Sequence, residues 1–272
     1  LAALTLSATL FSPASHAEMN LMSVLRNAIN GFSEPPASST RDSVDPISGP
    51  YAPVSVSSQC TQSVAQMVQV HAQLQNKSVA HCYQAFSVLY NSNLKTALAS
   101  LEYVIPANIQ QARKLPRNAD FYPNVDLVLG ETSPQLNDFR GSGYQRGHLA
   151  PSGNAWTYKA RYETFGLINI IAQNGPLNEQ GWNKVESTLR NFVVNNRTPI
   201  WIATGPAFQG KVKRLSNGSG PAIPSHLWKA VWFPAQKAAG AVWVANDSSQ
   251  VFEYITLQEL YNRTGVNVFP AL

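Results

Sequence analysis

The 272 residues carry 44% hydrophobic and 13% charged side chains, enough apolar material for a sizeable core and too much for an intrinsically disordered chain. Twenty Lys and Arg against fifteen Asp and Glu give a formal charge of +5. That balance suits a polyanionic partner but does not by itself select one. Two cysteines, neither in a CxxC pair, exclude a cysteine-rich metal scaffold and CxxC redox chemistry.

In chain order, LAALTLSATLF is an apolar run too short to span a bilayer, and it leads to Ser15-His16-Ala17, a small-residue cleavage pattern. Residues 1–17 therefore read as a signal peptide that lacks its N-terminal part, which places the mature chain in a secreted or periplasmic compartment. No membrane span is expected after its removal. Residues 18–58 read as an N-terminal segment with a short amphipathic helix at 20–33, followed by a linker rich in Pro and Ser. The folded domain is expected over 59–272. In an oxidising compartment the pair Cys60 and Cys82 reads as a disulfide, with two buried thiols as the alternative. Closing this 22-residue separation stabilises by roughly 3 kcal/mol in the chain-entropy picture.

Val64, Met67, Val68 and His71 recur at helical spacing and predict a helix over 61–74, with His71 on its face. QAFSVLY and ALASLEYVIP read as two strands joined by a turn, and ANIQQARK as a short helix. From Leu115 to Gly143 the chain is rich in Pro, Asn and Gly, as in long functional loops. A helix is expected over EQGWNKVESTLRNFV, with Trp182, Val185, Leu189 and Phe192 on one face. TPIWIATGPAF then reads as a buried strand, and LWKAVWFPA with AAGAVWVAND as a hairpin. Thr256 and Glu259 have capping-box spacing for a last helix ending near Gly265. Strands and helices mix without βαβ alternation, so the expected class is α+β.

The chemistry concentrates in DFRGSGYQRGHLAPSGN and GLINIIAQNGPLNEQGWNKVESTLR. An imidazole, His148, follows a guanidinium, Arg146, in a glycine-rich loop. A neutral imidazole can take a proton from water, and a guanidinium can grip phosphate oxygens in a fork. Asn178, Glu186 and Arg190, spaced by eight and four residues, fall within roughly 120° of one helical surface. Taken singly, Asn178 fits a helix N-cap, Glu186 and Arg190 an exposed i, i+4 ion pair, and Asn169 a loop tie.

Taken together, YQRGHLAP and this Asn-containing block resemble the DNA/RNA non-specific endonuclease family, the ββα-metal nucleases. The likeness runs from about Phe86 to Gly265. It implies a mostly antiparallel sheet flanked by helices, and cleavage of DNA and RNA to 5′-phosphate products. It also implies one Mg²⁺, with Mn²⁺ able to replace it. Carried over by position, His148 matches the general base and Asn178 the metal ligand. Glu186 matches the carboxylate that binds metal-held waters, Arg190 a phosphate-facing arginine and Asn169 a residue that shapes the centre. Arg146 belongs to the same motif. Arg117 matches the upstream substrate-binding arginine, with Arg113 close enough to compete. An inhibitor protein and a homodimer are open as partners.

Gln145 departs from the family pattern, which has aspartate there. This puts rate and metal affinity in doubt and leaves two alternatives standing: an exported nucleic-acid-binding or uptake protein with weak or lost cleavage, and a small-molecule phosphodiesterase. A serine hydrolase is disfavoured, because the chain has no GxSxG elbow.

Overall fold

The computed structural model describes residues 51–53, 55–56, 67–116, 119–125, 127 and 132–270. The expected signal peptide, the helix at 20–33, nearly all of the linker, Cys60 and Arg117 lie outside the described residues.

After β1 (Tyr51–Pro53) and β2 (Ser55–Val56), the first element with described side chains is a strand, β3 (Val68–His71), where a helix was expected. Val68 and Val70 are buried two residues apart, so period two prevails over the helical spacing. β3 is paired antiparallel on both sides, with β1 and with β15 (Val266–Val268), which supplies the hydrogen bonds that a helix would have made internally. Only one helical turn follows, α1 (Ala72–Gln75), whose N-cap is His71: Nδ1 accepts from the Gln73 amide at 3.3 Å. β4 (Ser78–Cys82), unmarked in the sequence reading, comes next.

β4, β5 (Ser87–Asn91), β6 (Thr96–Val104), β9 (Ile200–Ala207), β12 (His226–Phe233), β13 (Ala238–Ala245) and β14 (Phe252–Ile255) form an antiparallel array. β2 lies parallel to β4 at its edge, which completes an eight-stranded sheet. The expected strands at 84–90, 97–106 and 198–208 and the hairpin at 227–247 are all within it. The architecture is α+β.

Each face of the sheet is covered. On one side, α2 (Pro106–Ala112) and α5 (Asn183–Asn196) bring Ile109, Val185, Leu189 and Val193 against Val104, Ile202, Leu227 and Val231. On the other, β3, β15 and α6 (Leu257–Thr264) cover Leu101, Ala203, Trp228 and Ala241. α6 starts at Thr256, whose hydroxyl accepts from the Glu259 amide, and stops at Gly265 with φ +70.

The two-residue period of strands has one consequence for the site. Glu102 lies two residues before Val104, and Lys229 lies between Leu227 and Val231. Both charged side chains are therefore turned into the face that α5 covers, and both are buried. The remaining elements are short: α3 (Leu136–Phe139), α4 (Tyr158–Thr164), an antiparallel pair of β10 (Lys213–Arg214) with β11 (Ala222–Ile223), and an antiparallel ribbon of β7 (Gln145–His148) with β8 (Ile170–Gln173), seated on a small cluster of Phe139, Leu167 and Ile170. Among the described residues, no helix is long and apolar enough to cross a membrane.

Candidate active site

Arg146 and His148 do not sit in a loop, as their glycine-rich surroundings suggested, but on strand β7, where His148 pairs with Ile170. Gly147 between them serves packing: a Cβ there would lie 1.9 Å from Oε1 of the buried Gln173 side chain. Period two puts Arg146 and His148 on the same face, and both meet Phe121. The Arg146 guanidinium lies 4.6 Å from that ring's centroid and the imidazole 5.3 Å from it. Phe165 meets the imidazole edge-on at 4.8 Å, so two aromatic rings restrict how the imidazole can turn.

Behind the strand, Asn169 fixes the turn that leaves it. Its carbonyl side-chain oxygen accepts from the Ala150 amide at 3.0 Å, and its Nδ2 donates to the Ala150 and Thr164 carbonyls at 2.9 Å each. It is fully buried and does not line the cavity described next, so it acts on the site through the backbone of His148-Leu149-Ala150.

The cavity measures about 920 Å³. His148, Arg146, Asn178, Glu186 and Arg190 all line it, so the structure brings five of the sequence-selected residues to one space. Arg113 is not among its walls and donates instead to Asn191 Oδ1 at 2.7 Å.

Asn178 is no helix cap. Asn174 fills that role, accepting from the Leu177 amide at 3.2 Å, and Asn178 lies inside a π-helical turn, Leu177–Trp182, that runs directly into α5. Such single π turns recur at functional sites. Here the wider turn leaves the Asn178 amide beside β7, where Nδ2 donates to Gln145 Oε1 at 2.8 Å. The remaining side-chain acceptor of Asn178 is its Oδ1.

Glu186 and Arg190 do pair, with Arg190 Nη1 3.7 Å from Glu186 Oε2, but both are largely shielded from solvent rather than exposed. The guanidinium lies over Gly153, where a Cβ would come within 3.2 Å of it, and reaches Asn154 Oδ1 at 3.5 Å. Asn154 in turn donates to Glu102 Oε1 at 2.9 Å.

Under this row lies a charge pair that the sequence reading missed. Burial pushes the Glu102 carboxyl up to about 7, against the opposing pull of Lys229 and the Asn154 hydrogen bond. Burial also lowers the Lys229 ammonium from its ordinary value, while Glu186 and then Glu102 oppose that fall. Lys229 donates to Thr204 Oγ1 at 2.6 Å and lies 5.1 Å from the centroid of Trp182. The signal was present: a lone charge inside each of the apolar strands ALASLEYV and LWKAVWF is a charge destined for burial.

The sign of the resulting pH dependence follows from Glu102. Between about 4.5 and 7 the folded chain keeps a proton that the unfolded chain releases, so this contribution is present in full below about 4.5 and is lost as pH rises through about 7. For a fully buried group this corresponds to about 3 kcal/mol, at about 1.4 kcal/mol per pH unit. Thermal melting from pH 4.5 to 8 should show wild-type stability declining over that window and Glu102→Gln showing a flatter profile. Parallel profiles would contradict the assignment.

Two more arginines line the cavity unannounced by the motifs. Arg140 follows α3. Arg161 is buried, and its Nη1 and Nη2 donate to the carbonyls of Leu115, Pro116, Ala112 and Ala155 at 2.7 to 3.3 Å, which ties down the segment just before Arg117.

No group of three or more His, Cys, Asp or Glu side chains among the described residues could hold a metal ion. The cavity offers a cation the Asn178 carbonyl oxygen and the carboxylates of Glu186 and Glu179, the latter already accepting from Gln145, in a polar, roomy space. That donor set fits a hard ion that keeps most of its waters.

The chain is similar to human "Nuclease EXOG, mitochondrial", at 28% identity over 215 residues, covering 71% of this chain and 57% of that protein. It is also similar to human "Endonuclease G, mitochondrial", at 32% over 158 residues, covering 54% and 52%. The chain thus spans about half the length of the curated relatives it matches. A solved structure described as "Crystal structure of the EndoG/EndoGI complex: Mechanism of EndoG inhibition" superposes with a TM-score of 0.60 at 21% identity, covering 71% of this chain and 86% of that one, and so shares its fold. The sequence profile of the DNA/RNA non-specific endonucleases matches residues 63–272, most of the sequence, and the chain belongs to that family.

Proposed function

We propose that this chain is a metal-dependent, sugar-non-specific endonuclease that hydrolyses phosphodiester bonds of DNA and RNA and leaves 5′-phosphate ends. The observation that carries the reading is the shared cavity, in which an imidazole, an asparagine oxygen, a carboxylate and the arginines meet. Arg140, Arg146 and Arg190 supply fixed positive charge suited to phosphate oxygens, whereas no base-reading element is needed, so little sequence preference is expected.

His148 accepts a proton from the attacking water, held in place by Phe121 and Phe165. The water oxygen bonds to phosphorus as the phosphorus bond to the 3′ oxygen breaks; the 3′ oxygen takes a proton from solvent water to leave as a hydroxyl, and the phosphate stays on the 5′ oxygen. Arg190, braced by Glu186 and Asn154, grips a non-bridging oxygen. Asn178 through Oδ1, with Glu186 through the ion's waters, would hold Mg²⁺ or Mn²⁺, which when bound would supply positive charge to the reacting phosphate. Arg117 is assigned to substrate binding.

The same reading places the nuclease domain at 59–272, with residues 1–17 as a signal peptide and export to a secreted or periplasmic compartment. The apolar start of the sequence supports export, as does the lack of any free cysteine among the described residues, which fits a Cys60–Cys82 disulfide. An inhibitor protein is a reasonable partner, since the structural relative is described in complex with one.

The test is incubation of purified protein with circular DNA and with RNA, each with Mg²⁺ and with chelator. Cleavage of both that stops with chelator is expected. Binding without cutting would select the uptake reading, and hydrolysis of a chromogenic diester with both polymers spared would select a small-molecule phosphodiesterase.

A further inference from the structure

Three side chains beside the cation position form a line. Asn178 Nδ2 donates to Gln145 Oε1 at 2.8 Å, and Gln145 Nε2 donates to Glu179 Oε1 at 2.5 Å. A side-chain amide can be reversed end for end at little steric cost, so two amides in contact do not by themselves fix which end faces where. A carboxylate at the end of the line removes that freedom. Glu179 Oε1 is the acceptor here, so Gln145 turns Nε2 toward it and Oε1 toward Asn178. Asn178 must then answer with Nδ2, because two oxygens facing each other would repel.

From this we infer that Glu179 and Gln145 are positioning residues that fix the polarity of Asn178, so that its Oδ1, rather than its NH₂, is presented to the cation. The pair does in two residues what an acceptor-only aspartate at position 145 would do in one, and it makes the Gln145 departure compatible with metal binding. An aspartate at 145 with Glu179 retained would instead put two carboxylates in contact.

The inference rests on the reading of Asn178 as a metal ligand, and the experiment separates the two. Mn²⁺ binding to the full chain without nucleic acid is measured by the electron paramagnetic resonance signal of free Mn²⁺. Circular dichroism verifies that each variant is folded. Asn178→Ala should weaken binding at least tenfold; wild-type affinity in that variant would overturn the ligand assignment itself. Glu179→Lys places a donor-only group at the end of the line, reverses both amides and turns Asn178 Nδ2 toward the cation. It should also weaken binding at least tenfold. The loss should persist at 1 M salt, where the screening length is about 3 Å. Adding Gln145→Asp to Glu179→Lys restores an acceptor next to Asn178 and should return affinity to within about threefold of wild type. If Asn178→Ala loses binding while Glu179→Lys keeps it, the polarity relay is wrong. It is equally wrong if salt abolishes the loss or if the double variant stays as weak as the single.

Discussion

Replacing His148 with alanine is expected to slow plasmid nicking in Mg²⁺ by about 10²- to 10⁴-fold, the span associated with loss of a positioned general base. Among the described residues, no other imidazole lines the cavity to substitute for it. The damage should be confined to chemistry. The imidazole is half-buried, the β7–β8 ribbon is held by backbone pairing, and the turn after it is held by Asn169, so none of these depends on the ring. Far-UV circular dichroism should therefore be unchanged, and DNA binding should survive because Arg140, Arg146 and Arg190 remain. Wild-type nicking by this variant would remove the proposed base.

The second large effect is on stability. Lys229→Met is expected to destabilise by about 3 to 5 kcal/mol at pH 8, because it removes the buried cation that acts on both Glu186 and Glu102. For a domain of this size that corresponds to a fall in melting temperature of roughly 10 °C or more. At pH 5 the loss should be much smaller, since Glu102 then carries its proton and asks for no counter-charge. Adding Glu102→Gln to Lys229→Met should recover much of the loss at pH 8, as expected when both members of a buried pair are removed together. Melting curves at the two pH values decide the matter. An equal loss at both would mean that the effect of Lys229 does not run through Glu102.

The contrast between these two residues shows what the sequence makes legible. His148 was visible because polar, chemistry-bearing residues are dense in QRGH and in the following Asn-containing block, where few structural demands compete. Glu102 and Lys229 were hidden inside strands read only for their apolar texture. The same habit produced the error over 61–74, where Val68, Val70 and His71 satisfy helical and strand spacing at once. That choice is made by partners 16 to 20 residues away in β1 and 196 to 200 residues away in β15, which no local pattern reveals. β4 was missed beside it.

At the site itself, the spacing of Asn178, Glu186 and Arg190 on one helical surface was readable. The π turn that carries Asn178, and the contact with Gln145 that it enables, depend on the ribbon lying alongside and have no signature in the helix's own residues. Conversely, the long segment from Leu115 to Gly143 reads as loop, whereas its described residues include the single helical turn of α3, and the anchoring of its start by Arg161 comes from α4, well downstream.

The proposed chemistry requires one phosphate held between the His148 ring and the Asn178 oxygen. It is tested most directly by crystals of the His148→Ala variant grown with Mn²⁺ and a short DNA duplex, with the anomalous signal used to locate the ion. The expected map shows Mn²⁺ bonded to Asn178 Oδ1 and to a backbone phosphate, with that phosphate facing the space vacated by the imidazole. An ion bound elsewhere in the chain, or DNA lying outside the cavity, would contradict the account.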